Sequence, residues 1–390
     1  MSSRNNRLEL IKKIEQERNS KVLVYFCGDR PLASANIADD AIRPLYDHLL
    51  ALSISTKDVD TIDLYLYAVG GRLEVPWRIA TMLREFFKNV NVIIPYKAYS
   101  AATLIALGAD KIIMGKKGEL SPIDPSLHVI APEGTPPPAF PPQIGVEDIS
   151  SYITFIKERA GLTDQSALAQ TICILAEKLT PPVLGQIQRA HSHIRLVARK
   201  LLSLCQPPLE ERRISTIVEA LTEKIYLHGH GIGRKEAKEI GLQIEDPSLE
   251  IENLIWQLYV SYEHFLKLRT TADPLAYFPD DDTDEYREPD AVIACIESTE
   301  KLHVFKGTFY LKRIRKIPQQ PTININLGLQ LPLGIQPANI PPQVQQAIQQ
   351  LLQEGAQLIR EQVLKEIVRQ SPIEGIMPRF IGGIWTESNE

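Results

Sequence analysis

Three short runs of apolar, aromatic and β-branched residues limit what this chain can fold into: KVLVYFC from Lys21, TIDLYLY from Thr61 and VNVIIP from Val90. Each is almost continuously apolar, which suits strands buried on both faces, as parallel strands are. Gly28 ends the first run, and Gly70 and Gly71 end the second. Between the second and third runs, EVPWRIATMLREFFKN repeats Trp77, Ile79, Ala80, Leu83 and Phe86 or Phe87 at helical spacing. AATLIALGAD after the third reads as a buried helix, and KIIMGKKGELSPIDP as a short strand followed by turns. Strands alternating with helices predict an α/β domain with a mainly parallel sheet.

The charge balance narrows the partners. Lys plus Arg (43) nearly match Asp plus Glu (48), and the net charge of −5 produces no field that would gather a polyanion, so nucleic acid is not expected as a partner. The four cysteines form no CxxC pair and sit in apolar runs, reading as buried thiols in a reducing compartment. Residues 1–20 form a charged amphipathic helix, with Leu8, Leu10, Ile11 and Ile14 on one face, and lack the apolar stretch of a signal peptide. No later segment reads as a membrane span. A cytoplasmic location, no cofactor and no metal are the expectation.

The α/β domain is expected over 21–270, with a proline-rich loop at 131–145 and then a helical arm. Residues 279–290, PDDDTDEYREPD, read as a solvated acidic linker. Residues 271–390 are expected as a separate extension holding this linker, a strand pair, a Pro/Gln-rich stretch and one helix. No internal repeat is present.

Chemistry points to two strand ends. At the first, Gly70 and Gly71 open a turn whose N–H groups are able to face an oxyanion or a phosphate, although a glycine pair after a strand is also plain turn chemistry. At the second, Ser100 stands between a strand and a helix, where a serine acts either as an exposed nucleophile or as an ordinary N-cap. A serine nucleophile needs a base and an acid to orient it. Asp124 lies in the turn SPIDPS, where an Asx-turn is the plainer reading. His228 and His230 lie in the glycine-rich HGHGIG, a loop able to display a base. HGH lacks the further ligands a zinc site needs. Lys116, Lys117 and Lys157 are alternative bases for a Ser-Lys dyad, and His191 and His193 share no helix face and read as structural.

In this order the motifs LYLYAVGGRLEVPWRIATMLREF and IPYKAYSAATLIALGADKIIMGKKGELSPIDP resemble the serine dehydrogenase proteinase family, relatives of the Clp protease proteolytic subunit and of signal peptide peptidase A. The resemblance is specific over about 60–130 and extends over 7–245. It implies a ClpP/crotonase-like ββα spiral, with Ser100 as nucleophile and Gly70 or Gly71 plus Ala101 as backbone oxyanion donors. It further implies Asp124 and His228 as the remaining triad members, with His230 as the alternative base. The chain departs from the family pattern at Val69, where proline stands, and at Ala102 and Ser121, where glycines stand.

The expected activity is hydrolysis of peptide bonds in a peptide or protein substrate by a homo-oligomer. The alternatives are a non-catalytic ClpP-like scaffold and a crotonase-type acyl-CoA enzyme.

Overall fold

The computed structural model describes residues 3–55, 59–123, 126–128, 143–224, 229–280, 283–316, 325 and 340–389. Helix α1 (Arg4–Arg18) ends at Asn19, whose left-handed backbone turns the chain into strand β1 (Lys21–Cys27). The hairpin β2 (Asp29–Arg30) and β3 (Ala33–Ser34) follows, then α2 (Ile42–Ser55) and β4 (Thr61–Tyr67). Helix α3 (Val75–Phe86) precedes β5 (Asn89–Ile94) and the short β6 (Lys97–Ala98). Helix α4 (Ala101–Leu107), β7 (Lys111–Met114) and β8 (Glu119–Leu120) complete the alternating region.

Strands β9 (Ser126–His128) and β10 (Gln143–Gly145) pair antiparallel. The helical arm comprises α5 (Val146–Thr154), α6 (Gln165–Lys178), α7 (Pro181–Leu202) and α8 (Glu211–Glu219). Strand β11 (Ile232–Gly233), α9 (Arg234–Ile240), β12 (Ile244–Glu245) and α10 (Leu249–Phe265) follow. The last elements are β13 (Glu285–Glu297), β14 (Leu302–Arg315), α11 (Pro342–Gln370) and β15 (Ile373–Glu387).

The expected α/β class is the one observed. The main sheet has the order β12-β7-β5-β4-β1-β13-β14-β15, and its first five strands are parallel, with Val24 opposite Tyr65, Leu64 opposite Val92 and Val92 opposite Ile112. Alternation explains the burial of β1. Val22, Val24 and Phe26 join Ile11 and Ile14 of α1 and Ile255, Leu258 and Tyr262 of α10 in one core, while Leu23 and Tyr25 are buried on the opposite face. Phe26 stacks on Tyr67 with centroids 4.3 Å apart, an arrangement that adds about 0.5–1.5 kcal/mol beyond area burial.

Two compact units divide the chain: 1–270 with 289–308 and 380–390, and 271–288 with 309–379. The chain after 270 is therefore not one separate extension. Phe26 pairs with Cys295 across antiparallel β1 and β13, because the apolar run AVIACI supplies a strand that the edge of the parallel sheet can accept. Nor is 279–290 all linker, since β13 begins at Glu285. In the second unit, Tyr277 and Tyr286 pack edge-on against Phe309, and Arg315 pairs with Asp284.

Two smaller expectations also change. The buried residues of α1 are Arg7, Ile11 and Ile14, with Leu8 and Leu10 only half-buried. Cys27, Cys205 and Cys295 are buried thiols, but Cys173 on α6 is exposed. Desolvation pushes the Cys27 thiol up to about 12 and that of Cys205 up to about 11.

Candidate active site

Short backbone hydrogen bonds set the ends of β4 and β6 side by side. The Ala68 amide donates to the Lys97 carbonyl at 3.1 Å, and the Tyr99 amide donates to the Ala68 carbonyl at 2.9 Å. Ser100 follows at once, with φ 51° and ψ −109°, before α4 begins at Ala101. A non-glycine residue held there carries strain of roughly 1–3 kcal/mol, and this sharp strand-to-helix turn is how nucleophile elbows expose a serine oxygen. Ser100 occupies the N-cap position, yet its side chain makes no capping hydrogen bond and is only half-buried. The N-cap reading accounts for its place in the chain and not for its hydroxyl.

The glycine turn lies against this elbow. A β-carbon on Gly70 would sit 3.5 Å from that of Ser100 and 3.9 Å from its Oγ. Gly70 and Gly71 have φ of 144° and 155°, a region that favours glycine. Gly71 is confined further, because a β-carbon there would overlap the backbone of Ile37. The Ile37 amide donates to the Gly70 carbonyl at 2.9 Å, and the Arg72 amide to the Ile37 carbonyl at 2.9 Å. Ala101, the first residue of α4, has no intrahelical acceptor for its N–H.

A separate three-stranded sheet, β11-β8-β6, gathers the other segments. Strand β8 runs parallel to β6, with Leu120 opposite Ala98, and β11 runs antiparallel to β8, with Ile232 opposite Leu120. The chain leaving β6 toward Ser100, the chain leaving β8 toward position 124 and the chain entering β11 from position 228 therefore share one end of this sheet. Asp124 and His228 themselves lie outside the described residues.

His230 is described and half-exposed, with Nε2 3.0 Å from both carboxylate oxygens of Glu236. The other candidate bases are occupied differently. Lys117 pairs with Glu119 at 3.1 Å and Lys116 with Glu252 at 3.7 Å, while Lys157 is exposed. His191 and His193 both lie on α7.

Several participants carry no signal in the linear sequence. Ile37 braces the glycine turn from more than thirty positions upstream. The Tyr99 hydroxyl donates to Glu119 at 2.5 Å, and burial, reinforced by that carboxylate, pushes the phenol above its usual range. Thr103 Oγ1 donates to the Ala98 carbonyl at 2.7 Å and accepts from the Ser121 amide at 3.1 Å. Ser121 Oγ accepts the Ser100 amide at 2.8 Å. Only the departure from glycine at 121 marked that residue beforehand.

A cavity of about 320 Å³, lined by Pro95, Lys116, Lys117, Leu249, Glu252 and Trp256 among others, includes none of the candidate triad or oxyanion residues. Among the described residues no three His, Cys, Asp or Glu side chains cluster as metal ligands, and no helix is long and apolar enough to cross a membrane.

Two uncharacterized proteins of Methanocaldococcus jannaschii resemble this chain. One is 25% identical over 274 residues, covering 70% of this chain and 83% of that protein. The other is 24% identical over 241 residues, covering 61% and 71%. Among solved structures, a mutant of the membrane-bound stomatin-specific protease 1510-N superposes with TM-score 0.34 at 15% identity, covering 56% of this chain and 79% of that one. ClpP1 from Listeria monocytogenes gives 0.32 at 14%, covering 61% and 98%. The ClpP catalytic domain from Plasmodium falciparum gives 0.32 at 13%, covering 63% and 93%. Positions 228 and 230 lie beyond the segment that a family model matches, whereas Gly70, Gly71, Ser100, Ala101 and Asp124 fall inside it. That segment, residues 1–134, matches the ClpP-like SDH-type serine proteinase family, and it is to this family that the part of the chain bearing Ser100 is similar.

Proposed function

We propose that this chain is a serine peptidase that cleaves peptide bonds through an acyl-enzyme on Ser100. The observation that carries the reading is the strained, half-exposed Ser100 elbow facing Gly70, with its hydroxyl uncommitted to capping α4. In this reading Ser100 Oγ attacks the peptide carbonyl carbon and a histidine takes its proton. Backbone N–H groups of Gly70 or Gly71 and of Ala101 receive the developing oxyanion, a term usually large in acyl transfer. The histidine then returns the proton to the departing amine, and water releases the acyl group by the same route.

His228, oriented by Asp124, is the base in this reading, and the shared sheet end of β6, β8 and β11 supports it. His230 is the alternative, and its contact with Glu236 would be the orienting pair. Assembly as a homo-oligomer belongs to the same reading and is measured by light scattering.

The test is labelling of the full chain by a fluorophosphonate probe alongside cleavage of a peptide library. Both are expected in the wild type and absent in Ser100→Ala, with His228→Ala losing cleavage and His230→Ala retaining most of it. Labelling that survives Ser100→Ala overturns the nucleophile. A folded, oligomeric wild type that neither labels nor cleaves turns the reading to a scaffold.

A further inference from the structure

We infer that Ser121 is a positioning residue for Ser100, its hydroxyl holding the strained elbow in place; this rests on the reading of Ser100 as the nucleophile. The bond is directional. A serine hydroxyl carries one proton, and Ser121 Oγ donates it to the Pro122 carbonyl at 2.8 Å. The oxygen is therefore left to accept, and what it accepts is the Ser100 amide at 2.8 Å. Ser121 is fully buried, so water does not compete, and its own amide is held by Thr103 Oγ1 at 3.1 Å.

Strained backbone persists only where its surroundings over-determine it. Among the described residues, the hydrogen bonds that hold the elbow include the Tyr99 amide on Ala68, the Ala102 amide on the Tyr99 carbonyl, the Leu104 amide on the Ser100 carbonyl, Thr103 Oγ1 on the Ala98 carbonyl, and Ser121 on the Ser100 amide. Among these, the last is the one a side chain makes to Ser100 itself. It also ties Ser100 to the segment whose Ile123 amide donates to the Leu221 carbonyl at 3.0 Å, the segment that continues to Asp124. The Ser100 amide is engaged by Ser121 and is turned away from any role as an oxyanion donor, which leaves that role to Ala101 and the glycine turn.

The test compares full-length Ser121→Ala, Ser121→Gly and Ser121→Thr with the wild type, reading kcat and KM for peptide cleavage, the fluorophosphonate labelling rate and residue-resolved hydrogen exchange at the Ser100 amide. Misplacing a nucleophile by a fraction of an ångström is expected to lower kcat and the labelling rate about 10- to 100-fold in the Ala and Gly variants, with KM near wild type. Thr, which keeps the acceptor oxygen, restores most of the rate. The Ser100 amide exchanges faster in Ala and Gly and stays protected in Thr. Unchanged labelling and unchanged protection in Ser121→Ala overturn the inference while Ser100→Ala still tests the nucleophile. If the wild type itself proves inactive, the reading fails, yet exchange at Ser100 still decides whether Ser121 holds the elbow. Should Ser121→Ala not fold, Ser121→Cys, a weaker acceptor, is expected to fall between Ala and wild type in labelling rate and in Ser100 protection; equality with wild type overturns the inference.

Discussion

Gly70 and Ser100 face each other across the bridge between Ala68 and Ala98, so close that a methyl group on Gly70 would stand 3.9 Å from the serine oxygen. The two residues come from different strand ends, and the hydrogen bonds that join Ala68 to Lys97 and Tyr99 are what bring them together. The same turn is held on its other side by Ile37, so its two glycines answer to different neighbours and respond differently to substitution.

Gly71→Ala is expected to destabilise the fold by on the order of 3 kcal/mol or more, because it adds a clash with the Ile37 backbone to an unfavourable φ. Gly70→Ala meets only ordinary contact distances, and its penalty is the backbone term of roughly 1–3 kcal/mol. Its methyl group intrudes beside Ser100, so fluorophosphonate labelling should fall further than stability does. Urea midpoints and labelling rates for both variants check this, and a Gly71→Ala protein as stable as the wild type would refute the steric argument.

Arg7 and Glu297 form a buried ion pair at 2.6 Å, and Tyr262 donates its hydroxyl to the same carboxylate at 2.7 Å. The pair fastens α1 to β13. Arg7→Met is expected to cost about 3 kcal/mol, since it leaves the buried carboxylate only the Tyr262 hydroxyl and the more distant Arg4 at 3.7 Å. Arg7→Met combined with Glu297→Gln should recover a large part of that loss, because the charge left behind is gone. Chemical denaturation of the three proteins measures it, and a double variant no better than the single would contradict the account.

His48 is fully buried in a chain of polar groups. Ser298 Oγ accepts the Glu300 and Lys301 amides, each at 3.3 Å, and its proton is left for His48 Nδ1 at 2.8 Å. His48 Nε2 lies 3.1 Å from His303 Nδ1. Desolvation, followed by His303, Lys301 and Arg4, lowers the His48 ring to about 3, while an unfolded histidine titrates near 6.5. Above pH 6.5 both states are neutral and this contribution is complete. As pH falls from about 6.5 toward 3, the unfolded chain takes up a proton that the folded ring refuses, and stability drops by on the order of a few kcal/mol across the window. His48→Gln should flatten the change in urea midpoint between pH 7 and pH 4.5. An unaltered slope would show that other groups govern it.

The class of fold was legible in the sequence because burial on both faces writes itself locally: KVLVYFC, TIDLYLY and VNVIIP needed no distant partner to be read as parallel strands. Ser100 and the glycine pair were legible as well, since a serine and glycines at strand ends are local features. The fate of AVIACI, expected in a separate extension, was not legible, because an apolar strand does not say which sheet edge it will join; its partner Phe26 is over two hundred positions away. The exposure of Cys173 escaped for a related reason, since an apolar run in a helix is buried only where another element covers it.

By itself, then, the sequence determined the alternation of strands and helices and the places where the chain must turn, which depend on residues within a few positions of one another. Only the tertiary structure decided that Gly70 faces Ser100, that Ile37 confines Gly71 and that Ser121 holds the Ser100 amide. Those contacts depend on the register of β4, β6 and β8 and on the bridge from Ile37 to Gly71, across gaps of roughly twenty to thirty-five residues, and register is set by the whole sheet rather than by any one segment.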